Sequence, residues 1–262
     1  LICISDKKAI EDLIPNFYRT ETEDVNRKFA IKTQQPALIT KLSQPYQISQ
    51  GLQNRHIALW QSHGWHYNQE KNRWMWQRGR LFQTVEDLYT QAFVLPFLTP
   101  MLENAGANVL LPRERDTQLN EVIVDNDTKI GGSRYHEHND RKSWKTGGTG
   151  FAFTQKTYLQ GENPFTMGTC RHIPSINDTD ELSYAEWNAD IPEAGNYAVY
   201  VSYKTTDKSA PDARYTVYHR GGKTEFKVNQ TIHGGTWLYL GHFKFNKGRS
   251  NQARVVLTNF SS

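Results

Sequence analysis

The sequence predicts an α/β segment followed by an all-β sandwich. Three observations carry this reading. Between residues 55 and 125, a short apolar run, an amphipathic stretch and a second apolar run follow one another. A charged, Gly-rich stretch fills 126–149, and from residue 150 the apolar pattern alternates with period two. The division is therefore 1–54 as an approach segment, 55–125 as the α/β segment, 126–149 as a linker and 150–262 as the sandwich.

The elements follow in order. Residues 1–54 mix charge with Pro and Gln, and only Lys7 to Tyr18 has the spacing of a short helix. His56-Ile-Ala-Leu-Trp60 runs into Gln61-Ser-His-Gly64, which predicts a buried strand stopping at a Gly turn. Thr84 has the character of an N-cap, with Glu86 and Asp87 in the first turn of a helix. Leu88, Phe93, Val94, Phe97, Leu98, Met101 and Leu102 continue it at helical spacing. Pro96 and Pro100 each remove a helical hydrogen bond and predict a kink or restart. Ala105-Gly106 supplies the C-cap. Asn108 to Leu111 is a second strand, and strand, helix, strand in this order predicts a parallel βαβ unit. Beyond residue 150, Tyr197 to Tyr203 alternates, and Arg214–His219 and Thr224–Asn229 flank Arg220-Gly-Gly-Lys223 as a hairpin. Trp237 to Phe245 and Ala253 to Asn259 complete a set of short strands, which predicts a sandwich.

Composition bounds the function. Of 262 residues, 37% are hydrophobic and 12% aromatic, with a mean hydropathy of −0.72. The rings supply the burial that folding needs. No run of about 18 apolar residues occurs, so no membrane span is expected. The net charge of +4 comes from Lys and Arg scattered among acids. No basic stripe argues for nucleic acid. Leu1 to Ser5 lacks the basic region and cleavage site of a signal peptide, and the missing initiator Met points to numbering that starts inside a longer or processed chain. Cys3 and Cys170 are too few and too isolated for a disulfide framework or a zinc finger.

The candidate site lies at the first strand's end, where open α/β sheets collect ligands. His63 ends that strand and Glu86 opens the following helix, so one imidazole and one carboxylate are candidates to share a metal. Zinc suits the pair, given a third protein ligand and a water to be polarised for attack on an amide. The structural alternative is a hydrogen-bonded His and an acid that complements the helix dipole. Trp65, Trp74 and Trp76 sit in a polar loop over 65–78, where they either line a glycan or peptide cleft or pack the loop onto the sheet. His136, Glu137, His138 and Asp140 carry metal-like letters and are read as linker.

Resemblance sharpens these expectations. His56 to Gly64, Val85-Glu-Asp87, Leu102 to Val109 and Pro112 to Asp116 together resemble the N-acetylmuramoyl-L-alanine amidase pattern. The resemblance implies that His63 and Glu86 are zinc ligands, that Arg115 and Asp116 form a structural pair, and that the substrate is cell-wall peptidoglycan. The family's third ligand and catalytic Glu match nothing here, which implies either a remainder beyond Ser262 or an inactive relative. Tyr184 to Trp187, Ile191 to Tyr197, Tyr215 to Gly222, Val228 to Gln230 and Gly235 to Gly241 resemble the golvesin C-terminal-like domain. That module occurs in proteins of Bacteroidetes type often labelled xanthan lyases, and there it is joined to an amidase-like segment. The family's closing strand, expected after Asn259 to Ser262, is missing. The resemblance implies a secreted or envelope location and a cell-wall glycan or polysaccharide partner, with Trp187, Tyr203, Trp237 and Tyr239 as candidate contacts. A zinc amide hydrolase, a non-catalytic carbohydrate-binding protein and a polysaccharide lyase are thus the three readings. No stretch resembles the Tyr, His and Arg or Asn arrangement that lyase chemistry needs.

Overall fold

The computed structural model describes residues 4–5, 8–9, 36–43, 51–61 and 63–262. The chain divides into two compact units, Leu1–Gln35 and Pro36–Ser262. In the first, strands β1 (Ile4–Ser5) and β2 (Lys8–Ala9) pair antiparallel, with Ile4 opposite Ala9. The helix expected from Lys7 is replaced at Lys8–Ala9 by strand, and the rest of that stretch lies outside the described residues.

The second unit opens with strand β3 (Ile39–Lys41), then β4 (His56–Ala58), and a hairpin of β5 (Trp65–Asn68) and β6 (Arg73–Trp76). Helices α1 (Glu86–Phe93) and α2 (Thr99–Asn104) follow, joined by a π-helical turn at Val94–Leu98, and β7 (Asn108–Leu110) comes next. β4 and β7 pair in parallel, Ile57 opposite Val109, so the strand–helix–strand unit forms. Pro96 lies inside the wide turn and Pro100 at the start of α2, and the helix restarts there because neither ring can donate to the preceding turn. Thr84 does not cap α1. Its backbone is bridged to Leu81 in both directions, at 2.8 and 2.9 Å, and extended Val85 takes the N-cap position instead.

The remaining strands build the sandwich: β8 (Arg134–His138), β9 (Lys145–Gly150), β10 (Gly168–His172), β11 (Tyr184–Ile191), β12 (Gly195–Val201), β13 (Ala213–His219), β14 (Gly222–Val228), β15 (Leu238–Phe245) and β16 (Gly248–Thr258). One sheet runs β3-β14-β13-β16-β11-β8, with every neighbouring pair antiparallel. The pair β12–β15 supplies the second layer, and β9–β10 forms a separate ribbon. Both edges of the main sheet come from stretches read as something else. β3 lies in the approach segment and β8 in the linker.

The core lies between these layers. Period-two alternation buries Ala213, Tyr215 and Val217 of β13 and Phe226 and Val228 of β14, facing Tyr197 and Val201 of β12. On β15 the buried set is Leu238, Leu240, Phe243 and Phe245, a phase change within one strand. A β-bulge explains it. Val199 pairs with Gly241 and Tyr200 with Tyr239, so Leu240 is the extra residue and the alternation slips by one. Gly241, at φ 154°, follows the bulged residue.

The helical segment is turned the unexpected way round. Its inward side carries Asp87 and Thr99, both fully buried, as is Gln61 in the loop after β4. Tyr89, Phe93, Phe97 and Met101 recur at i+4 steps on its outer side and are 54–67% exposed. Amphipathic helices normally do the reverse.

Candidate functional site

The strand β4 stops at Ala58, so His63 lies in the loop before β5 rather than at the strand end, and this loop and the first residue of α1 bring the predicted pair together. His63 Nε2 stands 3.8 Å from Glu86 Oε1, with the imidazole three-quarters covered and the carboxylate open to solvent. Gly64 follows His63 and is buried. A Cβ there would displace the Arg113 guanidinium and the Gln91 amide, which close over the turn. Gln91 also reaches the His63 carbonyl at 3.5 Å. The same imidazole nitrogen that faces Glu86 accepts a hydrogen bond from Arg78 Nε at 3.2 Å. Asp87 anchors that arginine's loop by accepting from Arg78 N at 2.9 Å. Among the described residues, no group of three His, Cys, Asp or Glu side chains is placed to hold a metal.

The segment read as a polar loop is a β-hairpin, and its regularity changes the meaning of its rings. Trp65 pairs across the ladder with Trp76, and Tyr67 with Trp74, which puts all four on one face. The Trp65 and Trp76 rings meet edge to face at 4.4 Å, and Tyr67 and Trp74 do so at 5.7 Å. Trp65 is 48% and Trp74 52% exposed, so the face is presented rather than packed away. The segment is basic, with Lys71, Arg73, Arg78 and Arg80 against Glu70 alone among acids from 65 to 80, although alternation turns Arg73 to the opposite face and Arg78 is engaged by His63. Tyr67 was missed by sequence reasoning. The signal was there in the alternation of Trp-His-Tyr-Asn and Arg-Trp-Met-Trp about Asn72, whose φ of 48° suits a tight turn.

Arg115 and Asp116 fasten the α/β segment to the sandwich. Arg115 Nη1 bonds Glu103 Oε1 at 2.6 Å, and its guanidinium lies 4.0 Å from the Tyr239 ring centre. Asp116 Oδ2 accepts from Ala198 N at 2.6 Å, and Asp116 Oδ1 is 3.5 Å from His242 Nε2. Glu114 accepts from the Tyr200 hydroxyl at 2.5 Å, and burial, then that carboxylate, drives this phenol far above its ordinary range. Burial likewise pushes Tyr239 up to about 12, with Arg115 pulling the other way. His56 Nδ1 and His233 Nε2 meet at 3.0 Å across the same junction.

The sandwich candidates divide into packed and presented rings. Tyr203 donates to the Ile232 carbonyl at 2.8 Å and packs on the core. Tyr239 lies beneath Arg115, and Trp187 leans on Tyr135 with ring centres 5.4 Å apart. Trp237 differs, being 40% exposed within a cluster with Phe151 and Phe165. Of the metal-like letters, His136, Glu137 and His138 belong to β8, where alternation sends Glu137 to the face opposite the two histidines, and Asp140 lies beyond the strand. Glu137 is clasped by Arg171 at 2.6 and 2.9 Å and accepts from the Tyr135 hydroxyl at 2.6 Å. The Arg171 hydrogen bonds hold this carboxyl below its usual range.

The fold and site together define a two-layer β-sandwich carrying a short βαβ segment with an aromatic hairpin. Residues 140–262 match the sequence model of the Golvesin C-terminal domain, so the sandwich is golvesin-like. The match begins after β8. The solved structure of a Paenibacillus xanthan lyase is similar at 21% identity, over 50% of this chain and 13% of that one, with a TM-score of 0.29. The chain thus spans a small fraction of that enzyme's length. No curated protein matches. No helix among the described residues is long and apolar enough to cross a membrane.

Proposed function

We propose that this chain is a carbohydrate-binding protein of the cell envelope or of a secreted system, with a golvesin-like sandwich as its accessory domain. The observation that carries the reading is the hairpin β5–β6. It lays four aromatic rings on one face, with Trp65 and Trp74 exposed, in a segment rich in Lys and Arg. Aromatic faces stack on the apolar faces of pyranose rings, and Arg and Lys pair with carboxylates on acidic sugars. A two-stranded ribbon that exposes Trp on one face needs a partner to cover it. The partner is a cell-wall glycan or another polysaccharide.

The test is affinity electrophoresis of the full chain through gels cast with acidic or neutral polysaccharides, together with pull-down on peptidoglycan. Retardation by the chain, lost in the Trp65→Ala/Trp74→Ala double variant, supports the reading. Migration unchanged by every polysaccharide, with nothing retained on peptidoglycan, ends it.

The meeting of His63 and Glu86 at 3.8 Å favours a second reading, a zinc-dependent amide hydrolase of the peptidoglycan type. Two corners of a zinc tetrahedron lie about 3.3 Å apart, so His63 and Glu86 would have to close by about 0.5 Å to share the ion. The described residues do not complete the site, because no third donor joins them and Arg78 engages the imidazole nitrogen. His63 and Glu86 would hold two positions, and the third ligand has to come from residues outside those described. Zinc, when bound, would supply a polarised water. Calorimetric zinc titration tests this. One-site binding that disappears in His63→Ala and tightens in Arg78→Ala is expected, and heats no greater than buffer would remove the reading.

A further inference from the structure

We infer that the sandwich carries its own glycan site, at the end of the ribbon β9–β10, and that it takes a pyranoside bearing a carboxylate. This deepens the carbohydrate-binding reading and rests on it.

The site is built from three segments that meet at one rim. Phe151 follows β9, Phe165 lies on a single helical turn at Pro164–Thr166, and Trp237 immediately precedes β15. Trp237 touches Phe151 at 4.7 Å and Phe165 at 5.7 Å between ring centres, and the two Phe rings are 5.4 Å apart. All three contacts are tilted or edge to face, the geometry that fixes rings rigidly relative to one another. The two Phe rings are half-buried and brace the Trp, which remains 40% exposed. A braced and exposed indole loses little conformational freedom when a sugar covers it, which lowers the cost of binding.

Lys204 belongs to the same rim. Its Nζ donates to Thr149 Oγ1 at 3.1 Å, two residues from Phe151. The Tyr203 carbonyl just before it accepts from Gly235 N at 2.8 Å, two residues from Trp237. Thr205 Oγ1 accepts from Gly234 N at 3.0 Å and ties the loops together. Gly234 permits this approach, since a Cβ there would collide with the Thr205 backbone nitrogen. Among the described residues Lys204 has no carboxylate within ion-pair distance, so its ammonium has one fixed hydroxyl partner and two donors to spare. A stacking ring and an unneutralised cation on neighbouring segments of one groove recognise an apolar ring face and a negative charge of the same sugar chain together. A uronic acid residue within a polysaccharide has both. These groups line one wide surface groove with Asn163 and Thr166, polar side chains suited to sugar hydroxyls.

The hairpin is removed from the experiment by using the full chain with Trp65→Ala/Trp74→Ala as parent. It is titrated calorimetrically with a tetra-uronate and with a neutral tetrasaccharide of the same linkage. The parent is expected to bind the uronate in preference, Trp237→Ala to weaken that binding about tenfold, and Lys204→Ala to erase the preference while keeping the neutral affinity. Trp237→Phe, which keeps a ring, should retain most of the binding and exclude misfolding as the cause. Loss of all binding in the parent, with the wild-type chain still binding, overturns the sandwich site and leaves the hairpin reading intact. Binding by the parent that survives Trp237→Ala overturns it equally. A wild-type chain that binds neither sugar overturns the uronate site, while the hairpin reading stands or falls by the polysaccharide gels and the peptidoglycan pull-down.

Discussion

Arg115 is held on three sides, by the Glu103 carboxylate, the Tyr239 ring and the Val109 carbonyl, and its side chain is almost fully buried. Removing one member of a buried pair strands the other, so Arg115→Ala should cost about 3 kcal/mol, measured by denaturant unfolding. Arg115→Lys should recover only part of this, because an ammonium neither lies flat on Tyr239 nor reaches two acceptors in one plane. Sequence resemblance marked Arg115 and Asp116 as a structural pair, but it gave no hint that their partners would lie on the sandwich. The partners Ala198, Tyr239 and His242 are remote in sequence, and only the folded topology brings them near. His233 makes a further prediction at this scale. Burial first, and the neighbouring His56 second, depress its pKa below the usual histidine value. A depressed histidine favours folding in its neutral form. Stability from this contact is therefore present above about pH 6.5 and declines as pH falls toward the folded-state pKa. Thermal unfolding followed from pH 7.5 to 5 should show that decline, and His233→Gln should flatten it.

At the scale of elements, the packing between the two layers of the sandwich is the least forgiving. Phe226 of β14 is 1% exposed and meets Phe243 of β15 across the core with ring centres 6.3 Å apart. Phe226→Ala should cost about 3–5 kcal/mol. Chemical denaturation of the variant checks this, with Lys227→Ala on the opposite face of the strand nearly silent. The ribbon β9–β10 is tight in another way. A Cβ on Gly150 would sit 2.5 Å from Cys170 N and 2.6 Å from the Thr169 carbonyl carbon. Gly150→Ala must therefore part the two strands, and hydrogen exchange of Thr169 to Arg171 should accelerate while that of β13 stays slow. The sandwich strands were legible because period-two alternation over seven or eight residues has no helical equivalent. The hairpin β5–β6 was harder to see, since its four-residue strands are too short to separate alternation from chance. The inverted helix was not legible at all. Apolar residues at helical spacing reveal a stripe, but whether that stripe faces in or out depends on what lies beside it.

For the whole molecule, the boundary of the sandwich matters most. The stretch that matches the golvesin-like domain supplies four strands of the main sheet, and its two edges, β3 and β8, come from earlier in the chain. Leu38, just before β3, is 1% exposed and part of the core. A fragment of 140–262 would thus expose the ladder edges of β14 and β11 and open the core at Leu38. It should unfold at lower denaturant than a 36–262 fragment and associate with concentration, as scattering would record. Composition alone placed a boundary near residue 150, because glycine and charge are dense over 126–149. Two strands, β8 and β9, nevertheless form within that stretch. Ladder partners such as Trp187 opposite Tyr135, and contacts between sheets such as Arg171 with Glu137, decide the conformation where local propensity is weak.

The outward row of Tyr89, Phe93, Phe97 and Met101 has a consequence for anyone who makes this protein. Nascent chains that display such a ladder are what holdase chaperones bind, and a chain that never covers it stays a client after folding is otherwise finished. Expressed alone, the protein should co-purify with chaperone and yield poorly. Phe93→Lys together with Phe97→Glu, an i,i+4 pair of opposite charge, should release it in soluble form while leaving the hairpin rings and the Trp237 rim untouched.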